Sequence, residues 1–252
     1  RPTMPCPPGT APLTSVNMTT IAIYSLKGGV GKSTLAVNLA WCASALSARR
    51  TLLWDLDPQA ASSWILGDSG QHDRAQALFS RDVAPAKMIE RTRFDRLELL
   101  PADSSLRDLN HLFRELDKKR RLRKLIADLG DHDVVILDCP PGLTETADQV
   151  ARAADLIVVP VIPSPLSQRA FATVEAQFGG QVPMLPVHVM VDRRRALHVE
   201  AMQRHPDWPA IPMASAVENA TARRLPVGVA APRSPVAAAF THLWRRIERR
   251  PA

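Results

Sequence analysis

The segment Lys27-Gly28-Gly29-Val30-Gly31-Lys32-Ser33-Thr34 lies between the apolar run Ile21-Ala22-Ile23-Tyr24 and the stretch Leu35-Ala36-Val37-Asn38-Leu39-Ala40-Trp41. Strand, glycine loop and helix in that order form the setting a phosphate-binding loop requires. Glycine has no Cβ, so the backbone can curl with its N–H groups turned inward on an anion. The helix that follows adds the positive end of its dipole. In that geometry Lys32 reaches the β- and γ-phosphates and the Ser33 hydroxyl ligates Mg²⁺. The usual pattern has glycine where this chain has Leu26, and the loop opens instead on a second lysine, Lys27. A cation there is costly without an anion to meet, and Lys32 already serves the loop's own phosphates.

Two further segments supply carboxylates. Thr51-Leu52-Leu53-Trp54 reads as a strand running into Asp55-Leu56-Asp57-Pro58-Gln59. Aspartates at a strand's carboxyl end lie where open α/β sheets bind ligands. Carboxylates beside a triphosphate are repelled unless they act through a metal or water. Asp57 is therefore the candidate for orienting an attacking water and Asp55 for the metal's outer shell. Val134-Val135-Ile136-Leu137-Asp138 reads as a buried strand whose terminal Asp138 faces the metal opposite the loop hydroxyl. Pro140-Pro141-Gly142 behind it suits a segment that switches with the γ-phosphate.

With 252 residues the chain has room for one sizeable α/β core. No apolar run reaches the roughly 18–20 residues that span a bilayer. The longest, Leu156 to Ile162, reads as a buried parallel strand, and another strand is expected near 185–191. The short apolar segment at Ile211-Pro212 offers a resting place for a nucleotide base. Cys6, Cys42 and Cys139 have neither metal-ligand nor disulfide spacing, which suits reduced thiols in a cytosolic protein. Residues 1–17 are rich in proline, threonine and serine without periodicity and read as a disordered tail. Residues 60–96 offer helical patterns and no chemistry. Lys118-Lys119-Arg120-Arg121 with Arg123-Lys124 reads as a solvated helix face.

The net charge is +7, and it is unevenly spread. From Met190 onward there are eleven arginines, no lysine and five acids. A C-terminal third this basic marks a surface for nucleic acid or an anionic membrane. Ser234-Pro235 signals the start of a last helix, with Phe240, Leu243, Trp244 and Ile247 on one stripe and Arg245, Arg246 and Arg249 beside it.

The three nucleotide segments resemble the deviant Walker A, A′ and B motifs of ParA-type partition ATPases, the ParA/MinD group, and the similarity spans about residues 19–250. The resemblance implies a doubly wound, mainly parallel sheet flanked by helices, a single P-loop domain over residues 18–250. It also implies ATP and Mg²⁺ as cofactors, an ATP-sandwiched homodimer in the cytoplasm on the nucleoid, binding to non-specific DNA, and a ParB-like or cargo-adaptor partner that stimulates a slow ATPase. Lys27 matches the signature lysine that reaches the other subunit's phosphates and Lys32 the lysine acting in cis. Gly28, Gly29, Val30 and Gly31 match the loop, Ser33 the magnesium ligand and Thr34 a phosphate contact. Asp57 matches the hydrolysis aspartate and Asp138 the Walker B aspartate. Arg194 resembles an arginine some members use on DNA; a second common one has no clear counterpart near Ala216, and Arg223 or Arg224 is the substitute. Alternatives are a MinD-like membrane switch with the terminal helix on lipid, and a scaffold that binds ATP without turnover. A cluster-ligating reductase is disfavoured because the chain lacks a suitable cysteine pair.

Overall fold

A computed structural model of the chain describes residues 18–67, 75–80, 84–109, 111, 113, 120–142 and 144–250. The expected tail at 1–17, and Lys118 and Lys119 of the expected basic helix face, lie outside the described residues. Among those described, eight strands form one sheet in the order β3-β4-β2-β5-β1-β6-β7-β8. They are β1 (Thr19–Ile23), β2 (Thr51–Asp55), β3 (Glu90–Arg91), β4 (Leu97–Leu100), β5 (Val134–Asp138), β6 (Leu156–Val161), β7 (Met184–Val191) and β8 (Ala210–Pro212). All neighbours pair parallel except the edge strand β3, which runs antiparallel to β4.

The central strands are apolar throughout because both faces of the sheet are covered. Side chains alternate between two cores: Ile21, Ile23, Leu53, Val134 and Ile136 enter one, while Ala22, Tyr24, Leu52, Trp54, Val135 and Leu137 enter the other. The first core is closed by α1 (Lys32–Ser47), α2 (Ala61–Leu66), α8 (Ser215–Ala222), α9 (Val227–Ala230) and α10 (Pro235–Glu248). The second is closed by α3 (Ala77–Ser80), α4 (Arg121–Ala127), α5 (Glu145–Ala153) and α6 (Pro165–Phe178). Helix α7 (Ala196–Arg204) follows β7. Helix α1 is apolar on nearly every side, as suits a helix lying between the sheet and α10. Among the described residues no helix is long and apolar enough to cross a membrane.

The terminal helix starts where Ser234-Pro235 signalled, with the Ser234 Oγ accepting a hydrogen bond from the Ala237 N–H at 3.2 Å. Its apolar stripe faces inward: Phe240, Leu243, Trp244 and Ile247 are all buried in the first core. The Trp244 Nε1–H donates to Ser47 Oγ at 2.8 Å. Burying each such side chain contributes about 1.5–3 kcal/mol, so withdrawing the stripe would cost an amount comparable with the stability of a whole domain, about 5–15 kcal/mol. The stripe is a core element and offers no face to lipid.

Helix α1 is fastened to the same C-terminal region at two points. Asn38 Nδ2 donates to the Thr34 carbonyl at 2.8 Å, and Asn38 Oδ1 accepts from the Val227 N–H at 2.7 Å. Farther along the helix, the Trp41 ring lies so close to Gly228 that an added Cβ would come within 2.0 Å of it. Gly228→Ala is accordingly expected to destabilise the fold by about 1–3 kcal/mol through overpacking. Equilibrium urea unfolding should show it as a lower midpoint with an unchanged slope.

Candidate nucleotide site

The carboxyl ends of three adjacent strands finish level. Ile23 of β1 and Asp55 of β2 both pair with Asp138 of β5, which sets the glycine loop, Asp138 and Asp55 side by side at the crevice of a doubly wound sheet. Gly29 and Gly31 adopt φ of +71° and +84°, and Gly31 is the N-cap of α1. A Cβ on Gly28 or Gly29 would meet nothing within 4 Å. For Gly29 and Gly31 the requirement is thus conformational, the left-handed turn that closes a backbone nest. Lys32 is buried, whereas Ser33, Thr34 and Lys27 are half-buried and Val30 is packed inward. The Lys27 ammonium makes no ion pair or hydrogen bond with any described residue. The cation that the sequence left unexplained is therefore unanswered among the described residues of its own subunit.

Asp55 and Asp138 are both fully buried. Asp55 is already saturated: Oδ1 accepts from the Asp57 N–H at 3.0 Å, and Oδ2 accepts from the Ser63 N–H at 2.9 Å and the Ser63 hydroxyl at 2.8 Å. Its visible role is to fold the segment 57–63 back over the strand ends. Asp138 is different. Its Oδ2 accepts from the Ser62 hydroxyl at 2.7 Å, while Oδ1 is buried with no hydrogen-bond partner of proper geometry. A buried carboxylate oxygen without a partner is costly, and a hard divalent cation answers it. The residues fit Mg²⁺ on this observation, with Ser33 and Lys32 close enough to favour the charged form of Asp138. Burial first, then mutual repulsion, pushes Asp55 above the ordinary carboxylate range; burial does the same to Asp138.

Asp57 is nearly buried; its Oδ1 accepts from the Gln59 N–H at 2.9 Å and its other oxygen accepts nothing from the described residues. Ala60, which caps α2, holds φ +52°, and its N–H donates to the Asp57 carbonyl at 2.8 Å. On the other side, the Tyr24 hydroxyl donates to the Gly142 carbonyl at 2.9 Å, with Gly142 at φ +101°. That bond fastens the Pro140-Pro141-Gly142 loop to the strand that feeds the phosphate loop. Beside Gly31 and Thr34 a small depression of about 130 Å³ is lined by Val30, Met190, Ile211, Pro212 and Glu218, adjoining the segment expected to receive a base.

Sequence reasoning saw no chemistry at 60–96, yet Ser62 and Ser63 hold the two carboxylates. No motif marks them; a short helix returning from an aspartate-rich strand end was the available signal. Tyr24 was read only as part of the strand. Cys139 is buried with its thiol pushed well up by burial, in keeping with a core residue.

The arginines expected on DNA do not gather in one place. Arg194 is exposed but forms a bidentate pair with Asp192 at 2.9 and 3.0 Å, which lowers Asp192 to about 2. Arg224 packs over Trp64 at 5.6 Å and donates to the Trp64 carbonyl at 2.6 Å and to the Gly67 carbonyl; Arg223 is exposed beside it. Arg245, Arg246 and Arg249 are exposed on the far end of α10. There Ile247, Glu248 and Arg250 border the amino ends of β1 and β5, across the sheet from the phosphate loop.

Because the folded-state values of the aspartate pair lie above the unfolded one, their contribution is fully present below the unfolded carboxylate pKa. It is lost as pH rises toward neutrality. Asp138→Asn is expected to raise the melting temperature of the metal-free protein by several degrees, with the gap over the parent widening between about pH 5 and about pH 8. The same variant should lose the Mg²⁺ dependence of nucleotide binding, read by titration with a fluorescent nucleotide.

Comparison with known proteins agrees with this geometry. A family profile described as an AAA domain (AAA_31) matches residues 18–177. The virulence plasmid ParA family protein pGP5-D of Chlamydia psittaci is 33% identical over 157 residues, covering 60% of this chain and 59% of that protein. The chain thus spans less than two thirds of that relative's length. The chromosome partitioning protein ParA of Caulobacter vibrioides is 31% identical over 192 residues, covering 70% of this chain and 71% of that protein. Among solved structures, apo McdA of Cyanothece superposes with a TM-score of 0.78 over 91% of this chain and 99% of that one, at 20% identity, a likeness of fold. A phosphate loop with an unpaired leading lysine, level carboxylates at two strand ends and these relatives together place the chain in the ParA-type ATPase family.

Proposed function

We propose that the protein is an ATP- and Mg²⁺-dependent ATPase that dimerises around ATP, binds DNA without sequence preference in that state, and so positions a cargo such as a plasmid, a chromosome or a protein complex. The observation that carries this reading is the Lys27 ammonium, half-buried at the lip of a loop whose own anion is served by Lys32 and without a counter-ion among the described residues of its subunit. The phosphates of a nucleotide held by a second copy supply that counter-ion.

Each residue of the site has a task in this scheme. The N–H groups of Gly28 to Ser33 cradle the phosphates, Lys32 neutralises them from within, and Thr34 adds a contact from the first turn of α1. Ser33 and Asp138 Oδ1 would hold Mg²⁺, whose positive charge would offset that of the phosphates. Ser62 fixes Asp138 through its other oxygen, and Asp55 shapes the turn that carries Asp57. The second oxygen of Asp57 accepts a hydrogen bond from the attacking water and so orients it. Lys27 reaching in from the twin stabilises the charge on the transferred group, a role that can contribute about 10³–10⁵ in rate when a cation is supplied in trans. Basal turnover is slow because the Pro140-Pro141-Gly142 loop and the Asp57 turn must be set together, and an activating ParB-like or adaptor partner does that.

The gate is one of valency. One protomer presents a weak basic surface; two held rigidly present double. If each neutralises about three phosphates, the dimer neutralises about six, worth roughly a thousandfold between 50 and 200 mM salt. Hydrolysis removes the anion that held the lysines across the interface, and the dimer parts. The membrane reading lacks support, since the apolar stripe of α10 is spent in the core.

Lys32→Ala should abolish both nucleotide binding and retention on non-specific duplex DNA. Asp57→Ala should bind ATP and stay on DNA long after the parent has dissociated. Co-sedimentation with DNA and with anionic liposomes, each with ATP or ADP, checks this: DNA binding equally tight with ADP, or retention on liposomes alone, would overturn the reading.

A further inference from the structure

Four arginines from two distant parts of the chain converge on one cleft of about 340 Å³. It lies between the end of α2 and the edge strand β3, and is lined by Leu66, Gly67, Arg91, Thr92, Arg93, Arg223 and Arg224. Like charges gather at such a site at a cost unless an anion separates them. Neighbouring carboxylates do not do so. Glu98 stands opposite Arg91 in the β3–β4 register but is held by His132 at 2.8 Å. Glu90 approaches Gly67, yet none of the four arginines forms an ion pair with a carboxylate of the described residues.

The contrast with nearby arginines is informative. Arg50 is paired with Asp133 at 3.0 Å and Arg96 with Asp95 at 3.6 Å. Two of the four in the cleft are also held in place by something other than an acid. Arg224 lies on Trp64 and donates to the carbonyls that end α2; Arg93 stacks on Phe94 at 5.3 Å and donates to the Arg224 carbonyl. Arg91 and Arg223 are exposed at the rim. Two guanidiniums are thus prearranged and two are free to close, the arrangement that recognises a phosphate with planar, forked donors.

We propose that this cleft is a phosphate-binding site for the backbone of double-stranded DNA, with Arg91 and Arg93 as ligands beside Arg223 and Arg224. The identity of the polyanion rests on the function proposed above; the phosphate chemistry rests on the cleft alone. A polymer is favoured over a small phosphate because the cleft is not a closed cup. It shares Arg91, Thr92 and Arg93 with a larger groove of about 830 Å³ that continues along the amino ends of β2 and β4 past Arg50 and Arg96, whose wall acids Asp131, Asp95 and Glu98 are paired with Arg50, Arg96 and His132. A strand can therefore pass through and beyond it.

The test uses the full chain with Arg91→Ala/Arg93→Ala and, as a charge-matched control, Arg123→Ala/Lys124→Ala on the exposed face of α4. Nucleotide binding and melting temperature should match the parent in both. The slope of log affinity for random duplex against log salt, with ATP present, should become shallower in the first variant by about 0.9 for each phosphate that the variant no longer neutralises. The control should keep the parental slope. ATP-dependent DNA retention with an unaltered slope in the first variant, or an equal change in the control, overturns the site while leaving the proposed function standing. Trp64, against Arg224 at the cleft, reports independently. Duplex DNA should change its fluorescence in the parent and not in the Arg91→Ala/Arg93→Ala variant, with Trp64→Phe identifying the signal. If tripolyphosphate gives that change while the parent fails to retain DNA, the cleft is a small-phosphate site and the DNA assignment is overturned.

Discussion

Two carboxylates buried next to each other at the ends of β2 and β5 set the terms for the rest of the structure. Putting one negative charge in so dry a place is costly, and putting two there side by side is more so. The fold answers Asp55 completely, with three donors from the turn that follows it. It answers Asp138 less fully: Ser62 donates to Oδ2, Ser33 and Lys32 lie close by, and Oδ1 has no hydrogen-bond partner of proper geometry among the described residues. That asymmetry separates a carboxylate held by the residues that follow it from one with an oxygen left for a ligand. It also explains why α2 returns so closely over the sheet: its two adjacent serines each serve one of the aspartates.

Much of this could be read from the chain before any coordinates. The glycine loop is legible because its chemistry is local, a run of consecutive residues whose backbone does the binding. The buried strands are legible because an apolar run flanked by turns has few other fates, and the aspartate that ends such a run is conspicuous. The terminal helix was legible as a helix but not as to which surface it serves, since a stripe at the same spacing suits lipid and core alike. Only the facing residues of α1 and β8 decide the matter, and they are distant in sequence. Ser62 and Ser63 were opaque for a similar reason, because a serine in a short helix carries no mark of the carboxylate it will meet.

Charge was the least legible property. Arg50, Arg91, Arg93, Arg96, Arg194 and Arg224 look alike in sequence, but their partners are set in space. Asp133 and Asp95 neutralise Arg50 and Arg96, Asp192 clamps Arg194, and Trp64 with two carbonyls immobilises Arg224. A net charge summed over a segment therefore overstates what that segment presents to a partner. Composition pointed to the C-terminal third, whereas the cleft whose arginines form no ion pair with a described carboxylate draws half of them from an edge strand and the turn after it, a stretch without a motif.

The double fastening of α1 has a mechanical consequence. Asn38 bridges the first turn of that helix to the stretch entering α9, and the Trp41 ring lies flush against the Gly228 backbone. A helix pinned at both points has no freedom to slide or roll when its terminal anion departs. The opposite flank is tied down by other means: after β2 the Leu56 N–H donates to the Asp138 carbonyl at 2.9 Å and Asp55 holds the Asp57 and Ser63 amides, and after β5 the Tyr24 hydroxyl holds the Gly142 carbonyl. The α1 side of the crevice is thus an anvil, and a change of charge at the phosphate loop is not relieved there by movement of the helix.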